Sequence, residues 1–534
     1  MTGSIPVIDL FAGPGGLGEG FSSCRDSSGV SQFHICLSIE KDEVAHQTLL
    51  LRAFFRQFPF NSVPPSYYQY LKKEIDIKSL FRQHREEARM ARREAWLATL
   101  GEEKPNAVKR RIKLALSKQS KKAWVLIGGP PCQAYSIAGR ARKTEIRKNN
   151  LEEYEKDERH YLYREYLRII ADHQPPVFIM ENVKGILSST ISGKKIFHQI
   201  LEDLRQPRAA INSYNKELYR RKKKRPAYNI FPLVKKQDYL AGFEPYDPSD
   251  YIIAAERFGV PQARHRVILL GIRADLMVKP KHLEPKPFVT VKEVISNLPK
   301  LRSAVSKEAD SESSWITTLQ EAIGSDWLER SIKTKDKRLW SEVVSTVKHI
   351  STQSLNTGFE YVEGELCLEC YPGSLRDWYH DNLLDGVCNH SARSHMKSDL
   401  HRYLFASCYA KITGRSPELR DFPENLLPDH ENVKDALKGS FFSDRFRVQL
   451  PNKPALTVTS HISKDGHYYI HPDPTQCRSM TVREAARLQT FPDNYFFEGP
   501  RTAQYHQVGN AVPPLLARQI AAVVYDIFQQ SDLV

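Results

Sequence analysis

Pro6-Val-Ile-Asp-Leu-Phe11 runs directly into Ala12-Gly13-Pro14-Gly15-Gly16. A short apolar run broken by a glycine–proline turn reads as a buried strand turning tightly towards a helix. The same texture recurs downstream. Phe33 to Ile39 predicts a second strand ending at Glu40, and Trp124-Val-Leu-Ile127 runs into Gly128-Gly129-Pro130-Pro131-Cys132. Val177-Phe-Ile-Met180 runs into Glu181-Asn182, and Arg266 to Gly271 supplies a further strand. Helix-like stretches, among them Arg159 to Asp172 and Gly193 to Leu204, lie between the runs. Strands alternating with helices predict an α/β fold, a doubly wound and mostly parallel sheet. Ligands of such sheets bind beyond the carboxyl ends of the strands. Asp9 to Gly16, Glu40, Cys132 and Glu181 all fall there.

After about Pro287 the alternation fades, and 287–450 reads as a second, smaller domain. From Lys453 the texture changes again. Thr481-Val-Arg-Glu484 is a capping box opening a helix. A final helix follows Pro513-Pro514, with Leu516, Ile520, Val523 and Ile527 on one face. The expected division is 1–286, 287–450, and 451–534 returning to the first unit. A chain of 534 residues is too long for one compact core.

Lys+Arg 78 against Asp+Glu 63 leaves a net charge of +15, which points to a polyanionic partner. The charge is concentrated. Residues 82–122 carry 13 Lys/Arg against 5 Asp/Glu, and 216–236 carry 9 against 1. Both read as basic insertions, the first helical from Arg82 to Leu100 and the second an exposed loop at Arg220 to Arg225. Such runs are either solvated faces or phosphate-contacting arms that position a protein without reading bases. No apolar run of membrane-spanning length and no signal-peptide layout is read, so no membrane is expected. Eight cysteines in a chain this long are too sparse for a disulfide scaffold.

The glycine turn lets backbone approach a ligand at a helix N-terminus, a feature shared by NAD, FAD and S-adenosylmethionine sites and by purely structural turns. Glu40 at a strand end can take both ribose hydroxyls, or can simply be solvated. Cys132 follows two prolines that present it past the strand end, where a thiolate would be a useful nucleophile. Glu181 lies on the same rim, and a carboxyl in a closed pocket can donate to a ring nitrogen. Gln262, Arg264 and Arg266 add planar donors. Together these suit attack on an electrophilic ring followed by alkyl transfer.

On these residues the chain resembles the DNA (cytosine-5)-methyltransferase family, bacterial type. The matching blocks are Asp9-Leu-Phe-Ala-Gly-Pro-Gly-Gly16, Pro130-Pro-Cys-Gln133 with Ser136, Glu181-Asn-Val183, Gln262-Ala-Arg-His-Arg266, Arg483-Glu484 with Arg487-Leu-Gln489, and Gln507-Val-Gly-Asn-Ala-Val-Pro513. They stand in the family's order and span almost the whole chain. The resemblance implies a Rossmann-like, S-adenosylmethionine-dependent catalytic domain and a DNA target-recognition domain at 287–450.

By that resemblance Cys132 attacks carbon 6 of a cytosine flipped from duplex DNA, and Glu181 bonds its N3 and exocyclic amine. Arg264 holds the base, with Arg266 in support. Asp9, Phe11, Ala12, Gly13, Gly15, Gly16, Glu40, Pro130, Asn510 and Val512 hold the cofactor, and Asp76-Ile77 resembles the adenine-contacting pair. Gln133 and Ser136 face the DNA backbone. The implied partner is double-stranded DNA with a specific cytosine target, methylated by a monomer alongside a companion restriction endonuclease, in the cytoplasm and on the nucleoid. No chromatin-reading module precedes Val7, in keeping with a bacterial or phage-type enzyme. An RNA cytosine-5 methyltransferase and a non-catalytic DNA-binding member are the alternatives. Cys367, Cys370, Cys388 and His390 are zinc-ligand types, but the second pair has unusual spacing, and packed cysteines without a metal are expected.

Overall fold

The computed structural model describes residues 4–59, 62–117, 123–131, 159–191, 194–214, 227–234, 247–364, 366, 373–429, 433, 445–531 and 533. At their centre lies a sheet of eight strands among the described residues. Seven form its path: β1 Ile5–Leu10, β2 Phe33–Glu40, β3 Ala95–Leu97, β4 Val125–Gly128, β5 Val177–Val183, β6 Tyr228–Phe231 and β7 His265–Arg273. Their spatial order is β3-β2-β1-β4-β5-β7-β6, and Ile252–Ala254 also pairs with β7. The first five strands are parallel. β7 runs antiparallel to both β5 and β6, so the sheet is mostly rather than wholly parallel. Strand order reverses between β1 and β4, which opens a crevice over their carboxyl ends.

The strands are apolar runs because both faces are covered. The helices are α1 Gly16–Ser22, α2 Glu43–Phe55, α3 Arg85–Glu94, α4 Pro105–Leu116, α5 Arg159–His173, α6 Ile196–Arg205, α7 Lys397–Thr413, α8 Val482–Leu488, α9 Arg501–Asn510 and α10 Pro514–Gln530, of which α1, α4, α5, α6 and α10 cover the two faces. On one face Val108, Ile112, Leu167, Ile170, Ile200 and Leu204 of α4, α5 and α6 pack against Ile8, Leu10, Leu126 and Met180. On the other, Leu17 and Phe21 of α1 join Leu516, Ile520, Val524 and Ile527 of α10 against Val7, Val125 and Ile179. Leu516, Ile520, Val523 and Ile527 are all buried, as their spacing predicts.

The stretch 82–122 differs from the expectation of a basic, mainly helical insertion. It contains β3, whose Ala95 and Leu97 pair with Ser38 and Glu40, between α3 and α4. It is therefore an edge unit of the sheet. Its arginines occupy the outer helix faces: Arg85, Arg89, Arg92, Arg93 and Arg110 are exposed, while Ala88, Ala91, Val108 and Ile112 point inwards.

Residues 287–450 contribute to two cores. Helices Glu312–Gln320, Lys337–Ile350 and α7 surround Trp315, Leu339, Val343 and Leu404, a core that extends to Ile470 and Cys477. A second core joins Val291, Val294 and Leu298 to Ala485, Phe491 and Val508. The capping box of α8 forms as read, with the Thr481 hydroxyl accepting from the Glu484 N–H and Glu484 accepting from the Thr481 N–H. Three fully buried arginines brace this part, each saturated because an unpaired buried charge is costly. Arg478 is bidentate with Glu484 at 2.8 and 2.7 Å, Arg487 with Asp493 at 2.8 Å, and Arg483 bonds the carbonyls of Cys388, Pro492 and Tyr495. The stretch Arg501–Gln530 is apolar and long enough by composition to cross a membrane, yet it comprises two helices, α9 and α10, and 72% of its apolar window is buried inside the molecule.

Candidate active site

β1 delivers the chain to the crevice, where the backbone must reverse within a few residues. Phe11 takes a left-handed conformation at φ 57°, Gly13 follows at φ 57° and Gly15 at φ 97°. A non-glycine residue in that region costs about 1–3 kcal/mol and persists only where its surroundings fix it. Here the Ala12 N–H donates to the Ile39 carbonyl at 3.0 Å, and the Gly13 N–H to Glu40 Oε2 at 2.7 Å. The other Glu40 oxygen accepts from the Asp42 N–H at 2.8 Å. Glu40 thus ties the end of β2 to the glycine turn. A Cβ built on Gly13 meets no atom within 4 Å, so the front of the turn is open.

Behind the turn the packing is tight. A Cβ on Gly16 would stand 2.4 Å from the Val512 carbonyl oxygen, and one on Gly20 2.3 Å from the Ala517 Cβ. Gly16 and Gly20 are packing glycines that let α1 meet the C-terminal segment, whereas Gly13 and Gly15 supply conformation. Val512 is buried against the turn and Asn510 ends α9 exposed. Asp9 is fully buried beneath α1, and burial pushes its carboxyl up to about 8.

At the carboxyl end of β4, Gly129 and Pro130 pass over Glu181. A Cβ on Gly129 would lie 3.0 Å from Glu181 Oε2, and Asn182 Nδ2 donates to the Pro130 carbonyl at 3.2 Å. Asn182, to which the resemblance gives no separate role, is therefore the strap between β5 and the loop leading to residue 132. Cys132, Gln133 and Ser136 lie outside the described residues.

The two arginines separate sharply. Across the β5–β7 ladder Glu181 stands opposite Ile268 and Val183 opposite Arg266, so Glu181 and Arg266 are diagonal neighbours on one face. Arg266 Nε lies 3.0 Å from Glu181 Oε1, each side chain 14% exposed. Arg264 is buried and makes its hydrogen bonds elsewhere. It donates to the Val458 carbonyl at 2.7 Å and the Gly509 carbonyl at 3.1 Å. Burial, then repulsion from Arg266, pulls its guanidinium well below the usual range. Gln262 joins it as a brace, donating to the Leu488 carbonyl at 3.1 Å and accepting from the Val458 N–H at 2.7 Å. The structure thus gives Arg266, not Arg264, the place beside the Glu181 carboxylate.

Asp76 and Ile77 are not at a strand end. Asp76 is the exposed N-cap of the helix Ile77–Gln83, and its carboxylate accepts from the Ser79 N–H at 2.7 Å. The carboxyl end of the strand beside β2 is instead Leu97, with the Ala98 N–H donating to the Glu40 carbonyl at 2.9 Å. A cleft of about 630 Å³ opens there, lined by Lys41, Glu43, Leu97, Ala98, Thr99 and Lys104 among others. Leu97 is 43% exposed at its rim. Sequence reading missed it because a three-residue strand inside an Arg/Glu/Ala-rich stretch carries a helical composition.

A zinc site is not supported by the pair that is described. His390 Nε2 lies 2.9 Å from the Pro299 carbonyl, to which it can only donate, and Nδ1 lies 3.0 Å from the Thr481 hydroxyl. No ring lone pair is left for a metal. Burial pushes the Cys388 thiol up to about 12, and Cys367 and Cys370 lie outside the described residues.

Comparison with known proteins supplies the family. The model of the C-5 cytosine-specific DNA methylase family matches residues 98–207 and 226–526. A type II methyltransferase of Bacillus paralicheniformis, M.Bpa9945I, is 33% identical over 541 residues, covering 98% of each chain. The DNA (cytosine-5-)-methyltransferase M.ApeKI of Aeropyrum pernix is 26% identical over 437 residues, covering 76% of this chain and 81% of its own. A crystal structure described as a DNA modification methyltransferase encoded within an E. coli prophage superposes with a TM-score of 0.50 at 17% identity, over 98% of this chain and all of that one, which bears on the fold. The family model covers most of the chain and the first of these relatives spans it from end to end, so the chain belongs to the C-5 cytosine-specific DNA methylase family.

Proposed function

We propose that this DNA cytosine-5 methyltransferase binds S-adenosylmethionine in the crevice over β1, β2 and β3 and works on a cytosine held over β5. The residues fit that cofactor. The turn is open in front of Gly13, Glu40 stands at the end of β2 for the ribose hydroxyls, and Leu97 offers an apolar platform for a purine. Leu97 and Ala98 take the place that Asp76-Ile77 was expected to fill. Asp9, Phe11, Ala12, Gly15, Gly16, Pro130, Asn510 and Val512 complete the walls. The cofactor supplies an electrophilic methyl group.

The chemistry falls to the chain's own side chains. The Cys132 thiolate adds to carbon 6, forming the sulfur–carbon bond and moving the electron pair of the 5,6 double bond towards carbon 5. Glu181 meets N3 and the exocyclic amine, and Arg266 holds that carboxyl while opposing the charge that builds on the ring. Carbon 5 would take the methyl group as the carbon–sulfur bond of the cofactor breaks and S-adenosylhomocysteine is released, and loss of the carbon 5 proton to solvent would return the electron pair that expels the thiolate. Arg264 secures the Val458 and Gly509 backbone behind this edge. Gln133 and Ser136 lie on the loop expected to face the DNA backbone. Flipping the base costs a few kcal/mol, which pocket contacts offset.

The observation that carries the reading is the Glu181–Arg266 pair set beside the glycine turn on one sheet edge. Residues 287–450, completed by 451–534, are assigned to target recognition, and the exposed arginines of α3 and α4 to phosphates flanking the target. The type II relatives support a role beside a companion restriction endonuclease in the cytoplasm. Transfer of labelled methyl from S-adenosylmethionine to mixed-sequence duplex DNA, with RNA in parallel, tests the whole. Label recovered as 5-methylcytosine from DNA and lost in Cys132→Ser is expected; label in RNA alone would overturn the assignment.

A further inference from the structure

Tyr495 lies in the C-terminal segment, fully buried, and its hydroxyl donates to the carbonyl of Pro14 in the middle of the glycine turn. The contact is close on both sides: a Cβ on Gly15 would stand 3.0 Å from that hydroxyl and 2.9 Å from Leu49 Cδ1. Packing alone does not call for a tyrosine. Its ring sits among Phe491 and Phe497, with centroids 4.7 and 5.5 Å away, where phenylalanine would serve equally. The hydroxyl is what reaches the turn, and burial pushes the phenol upwards, so it stays a donor.

The ring is itself held. The Arg52 guanidinium lies 4.8 Å from the Tyr495 centroid and 3.8 Å from that of Phe55. Arg52 is fixed in turn by a bidentate pair with Glu19 at 2.8 and 2.6 Å and by Asn494 Oδ1 at 3.0 Å. Asn494 Nδ2 donates to Asp381 Oδ2 at 2.6 Å. The chain of contacts thus runs from residue 381 through Asn494 and Arg52 to Tyr495 and ends on Pro14.

We propose that Tyr495 is a positioning residue for the cofactor turn. Its hydroxyl fixes the Pro14 carbonyl and, through it, the peptide plane shared with Gly15, whose N–H closes the turn onto the Ala12 carbonyl at 2.9 Å, so that a segment remote in sequence sets the shape of the turn and with it cofactor affinity. This rests on the reading that the turn binds S-adenosylmethionine. The test is calorimetric titration of the full chain with S-adenosylhomocysteine as the probe, alongside thermal melting and the Michaelis constants of both substrates. Tyr495→Phe keeps the ring and its partners. It is expected to bind the probe about fivefold more weakly, the loss of one hydrogen bond, with the melting temperature and the Michaelis constant for DNA little changed. Glu40→Ala serves as the control on the turn itself. Weakened binding in Glu40→Ala with wild-type binding in Tyr495→Phe overturns the proposal and leaves the turn reading standing. Wild-type binding in Glu40→Ala overturns that reading and the proposal with it. A lower melting temperature in Tyr495→Phe with both Michaelis constants unchanged assigns the hydroxyl a purely structural role and also overturns it.

Discussion

Arg266 meets Glu181 at 3.0 Å, and Arg264, two residues earlier, spends its donors on the Val458 and Gly509 carbonyls. On the proposed reading one guanidinium serves the reaction and the other the scaffold, so removing each should look different. Arg266→Ala is expected to cut kcat by about a hundredfold or more, as removal of a preorganised electrostatic partner does, with little change in melting temperature. Arg264→Ala should instead lower stability by about 3 kcal/mol through two orphaned carbonyls and a cavity. Parallel melts and methyl-transfer rates separate the two. The sequence block named both arginines, but alternation along a strand does not tell which one faces the site when one of them precedes the strand. Asp76-Ile77 illustrates a similar limit: the dipeptide matches the family block, while the structure places it at the start of the helix Ile77–Gln83 and not after a strand. Asp9 was legible as part of the turn, while its protonation was not, because that follows from burial. Its folded carboxyl titrates near 8, far above the free value, so its contribution to stability is full below about pH 4 and is lost as pH rises through 8.

The elements around the crevice were legible where composition and pattern agreed. β1, β2, β4, β5 and β7 are apolar runs, and the sequence marks them within three residues at each end. β3 was hidden, since Ala95-Trp-Leu97 sits between two charged helices and its assignment depends on pairing with Ser38 to Glu40. The α1–α10 packing was half visible: the apolar face of α10 could be read, but its partner, a helix surfaced with Gly16 and Gly20, carries no periodic signal. Gly20→Ala would drive a methyl group to 2.3 Å from the Ala517 Cβ and 2.5 Å from the Pro514 carbonyl oxygen. Overpacking of that kind should cost about 1–3 kcal/mol and lower the melting temperature, with cofactor affinity falling as the turn is displaced. The exposed arginines of α3 and α4 make a separate prediction. Replacing Arg85, Arg93 and Arg110 with glutamine should flatten the salt dependence of DNA binding, by about 0.9 in slope for every phosphate no longer neutralised, without altering the methylated sequence. A changed target sequence would show instead that these residues read bases.

At the scale of the molecule, the C-terminal half is held by buried polar groups tuned for neutral pH. Burial pushes His390 and His471 down to about 4 and lowers His395 well below the usual range too, while Arg478, His471 and His390 hold the Glu484 carboxyl well below its usual range. The unfolded chain binds protons at these histidines from about pH 6.5 downwards and the folded chain does not, so stability is lost as pH falls towards 4. Urea unfolding at pH 7.5 and pH 5 should differ by about 2 kcal/mol or more, and the difference should shrink in His390→Gln. None of these partners was visible in the sequence, where His390 stood out only as a zinc-ligand type. The family blocks, by contrast, were legible across the whole chain, because each is short and local, at a strand end or, for Arg483-Glu484 and Gln507 to Asn510, on a helix.

The central claim is that a cytosine is attacked by Cys132 at the edge built from Glu181 and Arg266. Duplex DNA of mixed sequence, synthesised with 5-fluorocytosine in place of cytosine, tests it most directly, because the fluorine at carbon 5 cannot leave as a proton and the sulfur–carbon bond persists after methyl transfer. Incubation with S-adenosylmethionine, digestion and mass spectrometry should find the nucleotide attached at residue 132, and no adduct in Cys132→Ser. An adduct on another residue, or full methylation of ordinary DNA by Cys132→Ser, would contradict the account.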